Sequence, residues 1–139
     1  MGPVFEDICR QYLIRRAKDG TLPFTPYVIG KWWGNNPAIR AQDDVDLLAL
    51  DRKGERGIFV ECKFRNRPMA MEEYDDLVTA TEAFPGVKKK KWMFISKGGF
   101  TEAVRRRAEE EGAEVVEMGE FMMEQGTDFI DSYKIRWYF

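Results

Sequence analysis

Two short apolar segments that contain acidic residues limit what this chain can fold into. The first is Asp44-Val-Asp-Leu-Leu-Ala-Leu-Asp51, and the second is Gly57-Ile-Phe-Val-Glu-Cys-Lys-Phe64. A charged turn with glycine, residues 52–57, separates them. Apolar runs of this length joined by turn residues are typical of neighbouring strands, so the pair predicts a β-hairpin.

Alternation along the second strand places Glu61 and Lys63 side by side on one face. If Asp46 points to the same face from the first strand, two carboxylates converge where a hard cation such as magnesium can bind, and the Cys62 carbonyl could complete the shell. The other interpretation is a solvent face with cross-strand salt bridges. The apolar strands favour the first interpretation, because buried acids need partners or a metal. The alternation also sorts the strand into two sets: Phe59, Glu61 and Lys63, and Val60, Cys62 and Phe64.

A magnesium-binding carboxylate pair points to phosphodiester hydrolysis. Such a site positions water for in-line attack and stabilises the developing negative charge. Lys63 either orients or deprotonates that water, if burial lowers its pKa, or holds the attacked phosphate as a fixed charge. The chain has no histidine, which excludes Ser-His-Asp and Cys-His catalysis and histidine-based zinc sites.

The remaining patterns predict an α/β chain. Their order is helix, three strands, helix, strand, helix, strand, which indicates a mixed sheet with helices on its faces. The expected ranges are a helix over residues 4–18, a strand over 27–33, the hairpin, a helical stripe over 70–84, a strand over 91–96, a helix from Thr101 to Gly112 and a strand over 113–118. The tail beyond residue 118 looks partly helical and partly strand-like.

The hairpin resembles the PD-(D/E)xK superfamily of restriction-endonuclease-like nucleases, which includes archaeal Holliday-junction resolvases and Mrr-type enzymes. The matching residues are Val45-Asp46-Leu-Leu-Ala-Leu and Ile58-Phe-Val-Glu61-Cys-Lys63. Residues 94–101 and the segments after them resemble the following strand-helix-strand of Mrr-like members. The resemblance covers most of residues 5–118. It implies a restriction-endonuclease-like αβββαβ core and DNA hydrolysis with magnesium or manganese, in which Asp46, Glu61 and Lys63 are catalytic.

More narrowly, residues 2–9 and the Trp32-Trp33 pair resemble the C-terminal domain of archaeal AAA-type ATPases of unknown function. The chain lacks the Gly-x-x-x-x-Gly-Lys-Ser/Thr loop, so ATP binding is not expected. Either the chain is a stand-alone relative or it is a fragment of such a protein, and an ATPase is a candidate partner.

Several further residues are weaker candidates. Glu6 matches a helical acid in many superfamily members, and it either supports or joins the metal ligands or pairs with Arg10 one turn on. Candidate nucleic-acid contacts are Arg65, Arg67 and Lys97. Two more features each have two interpretations. The Gly98-Gly99 pair is either a phosphate site or a plain turn. Trp32 and Trp33 either stack on bases or pack in the core.

Length and composition bound the whole chain. We expect 139 residues to form one domain, with a core over residues 4–118 and an extension over 119–139. The extension ends in Ile-Arg-Trp-Tyr-Phe, whose apolar surface packs either on its own domain or, as we slightly prefer, in a homodimer contact. No apolar run approaches the roughly 20 residues that cross a bilayer, so we expect a cytoplasmic protein. A net charge of −2 does not by itself indicate nucleic-acid binding.

Overall fold

The computed structural model of the chain describes residues 2–32, 45–82 and 84–117, which contain three helices and five strands. The elements in chain order are α1 (Gly2–Asp19), β1 (Val28–Trp32), β2 (Val45–Leu50), β3 (Arg56–Lys63), α2 (Met71–Glu82), β4 (Lys89–Ser96), α3 (Glu102–Glu111) and β5 (Glu114–Glu117). This order confirms the αβββαβ core and the helix and strand that follow it. The predictions for Trp33, for the loop after it and for the tail from residue 118 lie outside the described residues.

The five strands form one mixed sheet in the order β1-β2-β3-β4-β5. Strands β1, β2 and β3 are antiparallel neighbours, whereas β3, β4 and β5 are parallel neighbours. Parallel neighbours need a crossover connection, and α2 and α3 supply the two crossovers. The predicted fold class, a mixed α/β sheet flanked by helices, is therefore confirmed.

Apolar side chains pack on both faces of the sheet. The α1 face has a core that includes Phe5, Ile8, Cys9 and Leu13 from the helix and Ile58, Val60 and Cys62 from β3. The opposite face has a core that joins Leu48, Phe59 and Phe94 of the sheet to residues of α2 and α3. The alternation predicted for β3 is confirmed by this division, because Val60 and Cys62 face α1 whereas Phe59 faces α2.

Helix boundaries follow local capping chemistry. The Thr101 hydroxyl accepts a hydrogen bond from the Val104 amide at 3.3 Å, and Gly112 ends α3 in the left-handed conformation with φ of 71°. Both ends were predicted. Ala70 was expected inside the second helix, but it is exposed and precedes α2. It acts as the N-cap residue, since its carbonyl accepts the Glu73 amide at 3.1 Å.

Strand β4 begins two residues earlier than expected. The sequence predicted a strand from Lys91, but Lys89 already pairs with Arg56 of β3. The amides of Lys88 and Lys89 also donate to the Glu55 carbonyl, at 2.7 and 3.0 Å. Main-chain pairing with β3 therefore extends the strand into the lysine run while exposed side chains there remain in water.

Of the helices in the described ranges, none combines the length and the apolar character that crossing a bilayer requires. The expectation that one domain spans residues 1–139 stays a prediction.

The loop between β3 and α2 is fastened to the turn between β4 and α3. The Met69 amide donates to the Gly99 carbonyl at 2.9 Å, and the Met69 carbonyl accepts the Thr101 amide at 3.1 Å. A Cβ atom on Gly98 would lie 2.7 Å from the carbonyl carbon of Arg67. Gly98 is therefore required for close approach of two backbones, which favours the turn reading of the Gly98-Gly99 pair.

We expect Gly98→Ala to lower the free energy of unfolding by about 1–3 kcal/mol, because backbone has to move to admit the methyl group. Gly30→Ala is the matched control: a Cβ there meets nothing within 4 Å, and alanine restricts the unfolded chain more than glycine does. Urea unfolding of both variants measures the difference. Equal stability of the two variants would contradict the close approach.

Candidate active site

A β-bulge in β2 determines where Asp46 points. The bulge lies between two register pairs of β1 and β2: Gly30 with Leu48, and Trp32 with Val45. In this interval β2 has two residues, Asp46 and Leu47, whereas β1 has only Lys31. An extra residue in one strand bends that strand and redirects a side chain. The paired register of β2 with β3 ends at Leu47, and Asp46 follows immediately beyond it.

The carboxylate of Asp46 bonds to the main chain of β3. Its Oδ2 accepts a hydrogen bond from the Cys62 amide at 2.9 Å. A side-chain oxygen thus accepts the hydrogen bond of a β3 amide that lies beyond the last main-chain pair between β2 and β3. This bond stabilises a half-buried carboxylate and fixes its direction toward Glu61.

Asp46 and Glu61 are brought into contact, as the sequence predicted. Their carboxyl groups are hydrogen-bonded to each other, and the Glu61 side chain is only 17% exposed. Burial, followed by the hydrogen bond and the negative charge of Asp46, raises the pKa of Glu61 to about 9, although the charge of Lys63 opposes the shift. The neutral form of Glu61 is therefore favoured at neutral pH, as expected for a buried acid next to a like charge.

Lys63 lies between two acids on the α2 side of the sheet. Its Nζ is 3.9 Å from Oε2 of Glu61 and 4.0 Å from Oε2 of Glu73. The side chain is 32% exposed, so the ammonium group reaches solvent and can meet a ligand. The regular alternation of β3 puts Lys63 on the same face as Glu61, as predicted.

Glu73 belongs to the site, although the sequence analysis did not identify it. Its Oε1 accepts the Ala70 amide at 3.1 Å, and its carboxylate pairs with Arg65. Burial alone would raise the pKa of Glu73, but the hydrogen bonds from Arg65 and Ala70 outweigh burial and lower it. A glutamate three residues after the N-cap position is a capping pattern. That signal was hidden because Ala70 had been assigned to the helix.

Glu6 forms an ion pair with Lys31 of β1, at 3.2 Å, whereas the sequence left open a supporting or metal-ligating role and a pair with Arg10. No group of three or more Cys, Asp or Glu side chains within residues 2–32, 45–82 and 84–117 is arranged to hold one metal ion.

The three basic candidates lie just beyond the carboxyl ends of β3 and β4. Arg65 is occupied by its ion pair with Glu73, whereas Arg67 and Lys97 are exposed. The Lys97 ammonium sits 4.7 Å from the centre of the Phe64 ring. In sheets with parallel strands, ligands commonly bind outside the carboxyl ends. The candidate contacts and the carboxylate pair therefore share one end of β3.

Known proteins were compared with the chain. An uncharacterized protein of Methanocaldococcus jannaschii is 33% identical over 66 residues, which are 48% of this chain and 14% of that protein. Three solved structures resemble the fold at 14–16% identity: a repair endonuclease from Pyrococcus abyssi, with a TM-score of 0.45 over 78% of this chain and 44% of that chain; a protein of unknown function, with 0.49 over 79% and 56%; and EndoMS in complex with double-stranded DNA, with 0.45 over 79% and 43%. The chain thus spans about half the length of these solved chains and about a seventh of the archaeal relative.

One family profile matches the chain over residues 1–77. The match covers more than half of the 139 residues and includes the bulge, the carboxylate pair, Lys63 and Glu73. The chain therefore belongs to the DUF234 family, described as archaea bacterial proteins of unknown function.

Proposed function

We propose that the chain is an endonuclease that hydrolyses DNA phosphodiesters with magnesium or manganese as its cofactor. The observation that carries the proposal is the contact between the carboxyl groups of Asp46 and Glu61 beside Lys63. Two carboxyl groups rarely lie together in a poorly solvated site unless their joint negative charge serves a function. Binding a dication that contacts a phosphate is such a function.

The donor set fits a hard cation. Asp46 and Glu61 would supply carboxylate oxygens, and the Cys62 carbonyl is the main-chain oxygen next to them in β3. Magnesium is commonly bound by one or two carboxylates with water and substrate oxygens, so three acidic ligands are not required. When bound, the metal would supply charge stabilisation and an activated water.

Each residue of the candidate site has a part in the proposed hydrolysis. The Cys62 amide holds the Asp46 carboxylate in place at 2.9 Å, while Glu61 has to release its proton before a dication can bind. Lys63 would hold the attacked phosphate or orient the attacking water, and Glu73 limits its movement from the other side. The exposed Arg67 and Lys97 would contact neighbouring phosphates.

A second candidate is a docking or DNA-holding module without catalysis, acting with an ATPase or with a second copy of the chain. The observation that favours it is the same hydrogen bond between Asp46 and Glu61, because a protonated Glu61 can donate to Asp46 without a metal. The matched segment is also only 14% of the archaeal relative, which suits a module that works inside a larger protein.

We expect Asp46→Asn, Glu61→Gln and Lys63→Ala each to reduce DNA cleavage at least about a hundredfold, as loss of one charge-stabilising group does in other hydrolases. Cleavage of duplex, branched and single-stranded DNA in magnesium or manganese is the measurement. Glu102→Gln is the control, because that side chain is 85% exposed on α3, and it should cut like the wild type. Wild-type rates in all three site variants would refute the assignment, and an inactive wild type would favour the docking module.

The raised pKa of Glu61 predicts that stability and metal affinity depend on pH. Because the pKa of Glu61 rises from 4.5 to about 9 on folding, the metal-free folded chain holds an extra proton between these values. The contribution of Glu61 to the free energy of unfolding is then full below pH 4.5 and falls as the pH rises toward 9. Magnesium has to displace that proton, so its affinity should increase over the same window.

Urea unfolding from pH 5 to pH 9, with and without magnesium, tests this dependence. Glu61→Gln should flatten the decline in metal-free stability and the gain in metal affinity, whereas Glu102→Gln should follow the wild type. Identical pH slopes for wild type and Glu61→Gln would show that the carboxyl pair does not hold the proton.

A further inference from the structure

A basic surface lies at the end of β3 opposite the carboxylate pair. Its basic residues line a cavity of about 520 Å³ next to the hairpin turn, together with Phe24, Thr25, Asp51 and Glu55. We call this surface the hairpin-end patch and define it by the five basic side chains and two neighbouring aromatic ones: Arg52, Lys53, Arg56, Lys88, Lys89, Phe24 and Tyr27.

The positive charge of the hairpin-end patch exceeds the negative charge near it. Five basic residues face two acids, and both acids are engaged locally. The Asp51 carboxylate accepts the amides of Glu55 and Arg56, at 2.9 and 3.3 Å, and Glu55 pairs with Lys88 at 2.9 Å. The patch therefore presents net positive charge to solvent although the chain as a whole has a net charge of −2.

Aromatic rings are interleaved with the arginines. The Arg52 guanidinium lies 5.8 Å from the centre of the Tyr27 ring, and Arg56 lies 5.0 Å from that of Phe24. In such cation–π contacts the guanidinium is attracted to the face of the ring. Tyr27 is nevertheless 71% exposed, an unusual state for a large aromatic side chain. Exposed rings beside basic groups are typical of surfaces that bind unpaired bases and their phosphates.

We infer that the hairpin-end patch binds the phosphodiester backbone of single-stranded nucleic acid and that the Tyr27 ring stacks on an unpaired base. An acidic peptide would use the positive charge but not an exposed flat ring, so the observations favour nucleic acid. Arg56 and Glu61 are five residues apart in β3, roughly 16 Å at 3.3 Å per residue. One strand could therefore reach both ends of β3. That link to cleavage rests on the proposed function, whereas binding at the patch does not.

Binding of a labelled single-stranded DNA oligonucleotide to the full chain, without divalent metal and over a range of salt concentrations, tests the inference. Arg52→Ala and Lys53→Ala should each weaken binding and make the slope of log K against log salt shallower by about 0.7, the value for one lost phosphate contact on a single strand. Tyr27→Ala should weaken binding at least about fivefold with little change in slope. Tyr27→Phe keeps the ring and should bind like the wild type.

Arg106→Ala is the charge-matched control, since Arg106 is exposed on α3 and pairs with Glu102. The inference is overturned if the three patch variants bind like Arg106→Ala, or if a poly-glutamate peptide competes as well as DNA does. Cleavage by the same proteins separates the two proposals. If the protein never cleaves DNA but its patch variants bind more weakly, the inferred binding surface stands and the proposed nuclease is wrong. If the patch variants cleave and bind like the wild type, only the inferred binding surface is wrong.

Discussion

The hydrogen bond from the Cys62 amide to Asp46 is the interaction on which the candidate site depends. An acid in a largely apolar strand is costly to bury without a donor, and the bulge in β2 supplies one from the neighbouring main chain. The Cys62 side chain is buried in the α1 core together with Cys9. Packing against α1 therefore fixes the donor that orients an acid on the other face of the sheet.

Charge on the α2 side is coupled to helix formation. Glu73 satisfies the Ala70 amide at the start of α2 and pairs with Arg65, while its second oxygen faces Lys63. The Glu73 carboxylate thus caps the amino end of α2 and positions Arg65 and Lys63 near the carboxylate pair. The loop between these residues is held by Met69 against the Gly98-Gly99 turn. The groups around the site are consequently set by main-chain contacts, which vary less than exposed ion pairs do.

The sequence could predict whatever depends on local pattern. Alternation placed Glu61 and Lys63 on one face because β3 is a regular strand, and the apolar runs gave the order of all eight elements. The direction of Asp46 depends on a bulge opposite Lys31, which arises from pairing with a strand that precedes it in the chain. The partner of Glu6 is likewise Lys31, twenty-five positions away. Such contacts depend on tertiary packing, and no spacing rule in one sequence contains them.

Net charge is a weak guide to ligand chemistry, because ligands respond to the arrangement of charge rather than to its sum. Strand β3 illustrates this: the pair of Glu61 and Asp46 lies at its carboxyl end, and the hairpin-end patch lies at its amino end. At the basic end the acids are engaged by amides and by Lys88, so their charge does little to repel an anion. At the acidic end burial raises the pKa of Glu61 to about 9, which favours the neutral form of that carboxyl group at neutral pH. Both ends of the strand can therefore approach a phosphodiester strand although the chain is acidic as a whole.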